Sequence, residues 1–313
     1  MNSLKVTVLK QDRLEYAAGA PIDLEIRGGL DSPALNLSAS FACGESAPSL
    51  WKLFVYWGRT LLFEGEVDSQ TLTSSGKERI LNLEARSRGA VLLDNEAMPR
   101  TLWSANLSTV FVRLISPYGF ALYNPNPSRI VPVYTIYKGM SEWDAFCGFA
   151  WRMHGILPYV DGDQVMICRP QGGKSLIISN LKGLHYTSLE HVRTPYEIIS
   201  RIHVRDDDGQ YSVSVGNPDR VSANTQRTRY IIPGTEFADN PGLDAIQRIR
   251  KSMYRSESVT VRIPEIFPVY PGQSVVLPDH SALPQSLMVE NWRYLAGSNG
   301  FFTELVLGNR EYY

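Results

Sequence analysis

Glu64 and Glu66 are the residues whose type and spacing come nearest to chemistry. They stand two apart in Leu61-Leu62-Phe63-Glu64-Gly65-Glu66-Val67-Asp68. On a β-strand both carboxylates therefore project from one face, and Phe63 and Val67 from the other. Glycoside hydrolysis uses such a pair, one carboxyl as acid and the other as base or nucleophile. No partner residues can be placed around the pair, and an outward, solvated strand face accounts for the same spacing. Cys147 and His154 are seven apart and can share a helix face. Two ligands without CxxC or HxxxH company do not make a zinc site, so Cys147 reads as core packing and His154 as a polar end residue. Asp206-Asp207-Asp208 before Gly209 lacks the alternating ligands and distal Glu of a calcium loop, and reads as a hairpin turn. His154, His185, His191, His203 and His280 form no motif, and GxSxG, P-loop and GxGxxG patterns do not occur. Arg248, Arg250, Lys251 and Arg255 give one helix a basic face, either solvated or a docking surface for an acidic partner. No residue is assigned a catalytic, cofactor-binding or metal-ligating role, and no cofactor is expected.

The elements that carry these residues are mostly strands. The chain has 313 residues, room for about two domains on a prior of roughly 100–200 residues each. It is 43% hydrophobic and 20% charged, ordinary for a globular protein with a sizeable core. A formal net charge of −1 leaves no global field to draw nucleic acid or an anionic membrane. The 24 Gly and 19 Pro suit many turns and short strands. Cys43, Cys147 and Cys168 are far apart and odd in number, which fits a reducing cytoplasm rather than a disulfide framework. Lys5-Val6-Thr7-Val8-Leu9 alternates as a strand and is not a signal peptide, and no stretch approaches the roughly 20 apolar residues of a membrane span.

Alternation predicts strands around Ile22–Ile26, Leu35–Phe41 and Trp51–Trp57, then Gly58-Arg59 turning into Thr60–Val67 and Ser74-Ser75-Gly76-Lys77 turning into Arg79–Ala85. Such short spacing suggests a small sandwich or barrel. Near Ser87 the pattern becomes helical: a short turn over Gly89–Asn95, then a helix capped by Ser104 or Asn106 that carries Leu107, Val110, Phe111, Leu114 and Ile115 and stops at Ser116-Pro117-Tyr118-Gly119. A second helix starts at Ser141, with Asp144 as an approximate capping box, and has Trp143, Phe146, Cys147, Ala150 and Met153 on one face. A hairpin follows over Leu157–Cys168, turning at Asp161-Gly162-Asp163. From Ser175 strands return: Ile198–Val204 and Tyr211–Val215, a polar loop expected to be mobile over Asn217–Thr228, a helix capped by Asn240 with Leu243, Ile246, Ile249 and Met253, and strands over Ser258–Ile263, Gln273–Leu277, Ser286–Tyr294 and Phe301–Leu307. The fold class is α+β, mainly β. Two β-barrel domains, 1–88 and 173–313, are separated by a small α+β domain, 89–172, and the second barrel carries an inserted helix near 240–256.

The order of these pieces resembles the hub proteins of phage tails and related contractile particles: the Mu-type baseplate hub, the P2-like late control protein D, the PBSX-type tail proteins and the hubs of contractile-tail bacteriocins. The residues that carry the resemblance are Leu62–Asp68, then Leu83-Glu84-Ala85-Arg86-Ser87-Arg88 with Leu92-Leu93-Asp94-Asn95-Glu96, Ser116–Phe120, Lys138–Trp143, Tyr270–Val275 and Phe301–Leu307. The resemblance implies a homotrimer whose subunits each contribute two tube-protein-like barrels, giving a pseudo-sixfold ring. That ring would join a hexameric tail tube protein to a trimeric spike or tip protein, with the tape measure protein as a further partner. A chain of this kind would be made in the host cytoplasm and end in the tail tip or baseplate, without nucleic-acid readout, membrane insertion, enzymatic activity or an appended lysozyme-like or peptidase domain. Two rival classes are a carbohydrate-binding β-rich attachment protein, which exposed aromatics would favour, and a glycan hydrolase using Glu64 or Glu66.

Overall fold

The computed structural model describes the chain except residues 1–2, 45, 77, 127–128, 169–174, 207, 219–225, 234–240 and 313. The first part is seven strands: β1 (Leu4–Lys10), β2 (Glu15–Tyr16), β3 (Pro21–Gly29), β4 (Asn36–Ala42), β5 (Leu50–Trp57), β6 (Thr60–Ser75) and β7 (Glu78–Ser87). The middle holds α1 (Val91–Asp94), β8 (Arg100–Ala105), α2 (Leu107–Leu114), β9 (Ala121–Tyr123), β10 (Val131–Ile136), α3 (Glu142–His154), β11 (Tyr159–Asp161) and β12 (Gln164–Met166). The last part is β13 (Leu176–Ile177), β14 (Ser188–Arg193), β15 (Arg201–Val204), β16 (Val213–Gly216), β17 (Thr228–Ile231), α4 (Pro241–Arg255), β18 (Glu257–Ile263), β19 (Ser274–Val276), β20 (Leu287–Gly297) and β21 (Gly300–Asn309). The protein is mainly β with four α-helices among the described residues, as the alternation predicted.

The two β-rich parts meet in one 13-stranded sheet ordered β14-β18-β21-β20-β3-β4-β7-β6-β5-β1-β2, with β19 and β13 attached to β20. The join is β20 against β3, antiparallel from Asn291↔Gly29 to Gly297↔Asp23. Strand alternation sends Leu24, Ile26, Leu37, Ala39, Phe41, Leu81 and Leu83 to one face, where they form a single core with Val259, Val261, Trp292, Leu305 and Leu307 from the other end of the chain. A second core is built wholly from the middle: Leu107, Val110, Phe111 and Leu114 of α2 pack on Trp143, Phe146, Phe149 and Ala150 of α3. The buried Tyr134 of β10 donates to the Ala145 carbonyl at 2.7 Å, so its hydroxyl is satisfied inside that core.

The helix termini follow their capping chemistry. Asn106, not Ser104, caps α2, its side chain accepting from the Thr109 amide at 2.9 Å; Ser104 lies instead at φ +49° in β8. Ser141 Oγ accepts from the Asp144 amide at 3.0 Å and donates to the Asp144 carboxylate at 2.8 Å. Gly119 and Gly155 end their helical segments at φ +78° and +65°.

Several details depart from the sequence reading. The strand expected over Thr60–Val67 runs on to Ser75, because β7 continues to pair with it after β5 has stopped at Lys52↔Glu66. In α4, Ile249 and Met253 are buried as expected, but Ile246 is 42% exposed and Ala245 takes the inner position against Ile202 and Val204. Ala245 shares that inward stripe with Ile249 and Met253, four and eight residues on. Asn240, the expected cap, lies outside the described residues. Of the loop expected over Asn217–Thr228, Asn217 is buried and donates to the Ile199 carbonyl at 3.1 Å, and Thr228 opens β17; residues 219–225 lie outside the described ones. β17 then pairs in parallel with β15, a pairing with no turn signal to announce it.

Gly89 lies at the exit of β7, where a Cβ would fall 1.9 Å from the Pro33 carbonyl oxygen. The neighbour is backbone and cannot turn aside, so Gly89→Ala should destabilise the protein by about 2–3 kcal/mol, read as a lower urea midpoint at unchanged slope.

Candidate functional site

The motif around Glu64 and the motif around Arg86 converge on one cleft of about 1040 Å³. Its walls come from the β3–β4 turn, β6, the β7 exit with α1, the β11–β12 turn and the Val269–Pro271 loop, so every part of the chain contributes to it. Two arginines organise it. Arg86 is the next-to-last paired residue of β7, opposite Glu66. Its Nε and Nη2 donate to Asp68 at 2.7 and 3.1 Å, and its Nη1 and Nη2 donate to Asp94 at 2.8 Å each. Asp68 reaches this position because it is the extra residue of a bulge: Val67 pairs with Ala85 and Ser69 with Glu84, leaving Asp68 unpaired and re-aimed. One planar guanidinium thus clamps the sheet, through Asp68, to the first helical turn of the middle domain, through Asp94. The two carboxylates raise the Arg86 guanidinium above its ordinary value, and the Arg86 hydrogen bonds hold Asp94 below the usual carboxylate range.

Arg88 makes the second clamp. Its guanidinium donates to Asp163 Oδ1 at 3.1 Å and to the Tyr118 carbonyl at 2.6 Å, and lies 5.0 Å from the Phe120 ring centroid. Gly119 is required here twice over: its φ is +78°, and a Cβ would fall 2.1 Å from Arg88 Nη2.

Glu64 is ion-paired with Lys52 across β5 and β6, and Glu66 is solvent-exposed. Neither sits in the apolar pocket that keeps a catalytic carboxyl protonated near neutrality. The two share a face, as their spacing required, but the structure brings a cation to Glu64 and leaves Glu66 without an ion-pair partner among the described residues. Asp206 holds its hairpin by accepting from the Gln210 amide at 2.7 Å, and Asp207 lies outside the described residues. Cys147 packs against the middle core, and His154 is the last residue of α3. Burial and nearby Arg129 push the His154 imidazole below its ordinary value. The basic residues of α4 are exposed, with Arg248 paired to Asp244 at 2.7 Å. Among the described residues no group of three or more His, Cys, Asp or Glu could hold a metal ion, and no helix is long and apolar enough to cross a membrane.

The sequence reading assigned Arg86 and Arg88 no site role. The signal that could have found it is an arginine on an outward strand position with Asp68 and Asp94 close by in the chain.

No family model and no curated protein matches the sequence. The fold does have relatives. It is similar to the 43 kDa tail protein of prophage MuSo2 from Shewanella oneidensis, with a TM-score of 0.80 at 13% identity over 99% of both chains. It is also similar to the tail protein from Neisseria meningitidis MC58, with a TM-score of 0.74 at 13% identity over 98% of this chain and 96% of that one. A component of the type VI secretion system of E. coli, itself structurally similar to T4 bacteriophage tail proteins, matches at a TM-score of 0.63 and 9% identity, over 97% of this chain and 76% of the other. At these identities the likeness is one of fold, and the fold is that of phage tail proteins.

The Arg86 clamp gives a prediction with a sign. Arg86→Met should cost about 1–2 kcal/mol, discounted for solvent around Asp94, and should make α1 and Asn95 exchange amide hydrogens faster. Asp94 is depressed in the folded state. Its stabilisation is therefore full above the unfolded carboxylate value of about 3.9 and lost as pH falls through the lower folded value. The difference in melting temperature between wild type and Asp94→Asn should accordingly be constant from about pH 5 to 7 and shrink toward zero below about pH 4.

Proposed function

We propose that the chain is a structural component of a phage or phage-like tail, and within it the hub: a homotrimer whose pseudo-sixfold ring joins the hexameric tail tube to a trimeric spike or tip, with the tape measure protein as a further contact. The observation that carries this reading is the fold match to a prophage tail protein over 99% of both chains. The type VI secretion component supports it from a second kind of tail-like assembly. The site supports it as well, since most of the charges that line the cleft are paired and fix one part of the chain against another. On this reading residues 1–88 and 173–313 are the two tube-like units and residues 89–172 are the unit between them. The chain acts as a fixed shape, not as an enzyme, and its place is the tail of the particle.

One observation favours a second reading, attachment to a glycan. Tyr230 is 64% exposed, stacks on His203 at 5.0 Å and is met edge-on by Tyr211 at 5.2 Å, the kind of exposed aromatic cluster a sugar face can cover.

Particle microscopy separates the two. A hub appears as one ring at the end of the tube away from the capsid or membrane, three copies of 35.1 kDa giving about 105 kDa. Copies repeating along the tube, or on fibres outside it, contradict the hub. Glu64→Gln should leave the ring and the particle unchanged.

A further inference from the structure

The small sheet ordered β16-β15-β17 has one face covered and one face bare. Strand alternation sends Ile202, Val204, Val213, Val215 and Ile231 inward, where they pack with Ala245, Ile249 and Met253 of α4. The outward residues are therefore Arg201 and His203 of β15, Ser214 of β16, and Thr228 and Tyr230 of β17, with Arg205 just beyond the end of β15. Register sets Ser214, His203 and Tyr230 in one row across the three strands. The His203 and Tyr230 rings lie 5.0 Å apart and 15° from parallel, and Tyr211 meets Tyr230 at 5.2 Å and 85°. Tyr230 is still 64% exposed, so this fixed aromatic group offers free ring surface.

Charge and size decide what fits there. Arg201 and Arg205 flank the aromatic row, about 13 Å apart along the strand at roughly 3.3 Å per residue. Both are exposed, and neither has an ion-pair partner among the described residues. Arg205 reaches back over the following turn, where a Cβ on Gly209 would fall 3.1 Å from its Nη2. The three strands contain no Asp or Glu, and Asp206 is held within its own turn, by the Gln210 amide at 2.7 Å and by Ser212. Three four-residue strands cover roughly 14 by 13 Å, on the order of 200 Å². A stable protein interface needs about 800 Å² per partner. A short oligosaccharide fits the smaller footprint: its rings cover aromatic surface, and carboxylates on them take bidentate guanidinium bonds. Single-stranded nucleic acid also stacks on aromatics, but it needs a basic groove that tracks its backbone. Two arginines on a chain of net charge −1 do not make one.

We propose that the outward face of the β15–β17 sheet binds an acidic oligosaccharide, with sugar rings against Tyr230 and Tyr211 and carboxylates on Arg201 and Arg205. The site rests on the glycan reading given above, whose ligand class it names, and is independent of the ring.

Calorimetric titration of the full chain with trigalacturonate, and with maltotriose as a neutral trisaccharide, tests it. Trigalacturonate should bind with a Kd of about 1 mM or below, about tenfold or more tightly than maltotriose, and the margin should shrink with added salt. Y230A and R201A/R205A should each weaken it about tenfold or more, whereas Y230F, which keeps the ring, should bind as wild type does. The altered residues are exposed, so unchanged circular dichroism and melting serve as the folding control. Equal affinity for the two sugars overturns the acidic class and leaves the glycan reading standing. Failure of both to bind at about 10 mM overturns the site and the glycan reading together, while particle microscopy still judges the hub on its own. Unaltered binding in either Y230A or R201A/R205A, or tighter binding of a thymidine trinucleotide, overturns the site as a sugar platform.

Discussion

The antiparallel join of β3 and β20 is the constraint on which the rest of the structure depends. It makes one sheet out of strands from opposite ends of the chain, through pairs running from Asn291↔Gly29 to Gly297↔Asp23. Trp292 stands opposite Gly28, and a Cβ on Gly28 would fall 2.3 Å from the indole, so the indole lies against β3 only because that side chain is missing. Arg293 adds an ion pair to Glu25 at 3.5 Å across the join and another to Glu304 on the far side. Closing so long a loop is costly, but the cost grows only logarithmically with length. The intervening segment has a core of its own, which shortens the effective loop. The pairing remains non-local, and a chain that must find it folds slowly compared with a helical bundle.

Once both ends of the middle segment are tied to a single sheet, its orientation is a matter of a few contacts. Leu30, Tyr159 and Met288, one from each part of the chain, form a small buried cluster of their own. The Arg86 and Arg88 clamps add charge-assisted bonds around the cleft. An apolar cluster resists separation without specifying rotation, whereas a bidentate guanidinium specifies both distance and plane. Together they hold the middle segment in one orientation against the sheet.

What the sequence disclosed and what it concealed divide along the same physical line. Hairpins, caps and helix faces are local, and their chemistry is written in adjacent residues: Gly162 at φ +59° in the β11–β12 turn, Asn106 and Ser141 at helix starts, Gly300 at φ +102° between β20 and β21. These were legible. The β3–β20 join was not, because neither Gly28 nor Trp292 carries any mark of the other. The parallel partners β15 and β17 were hidden for a related reason, since no tight turn links parallel strands. The position of Ala245 rather than Ile246 on the inner face of α4 depended on where β15 lay, which hydrophobicity alone does not state. The cleft was half legible. The stretches Leu62–Asp68 and Leu83–Asn95 stand out in the sequence as a unit, but which cation meets which acid, Lys52 with Glu64 and Arg86 with Asp68 and Asp94, depends on strand register.

The electrostatics of this chain is local rather than global. With a net charge of −1 there is no long-range field to steer copies together. Screening confines each charge to roughly 8 Å at physiological salt, so recognition has to be encoded in patches. Here the acids of the cleft are consumed by Lys52, Arg86 and Arg88 except at two positions, and Glu257 of β18 is consumed by His191 and Arg193 of the outer β14 edge. What remains unpaired is sparse, and sparse unpaired charge in otherwise neutralised surroundings discriminates better than abundance does, because a misplaced partner meets ions that are already satisfied. The Ser69–Ser75 stretch of β6 carries no charge, and its Gln70 is tied back to the start of β5 by neutral bonds instead, accepting from the Leu50 amide at 3.1 Å and donating to the Pro48 carbonyl at 2.8 Å.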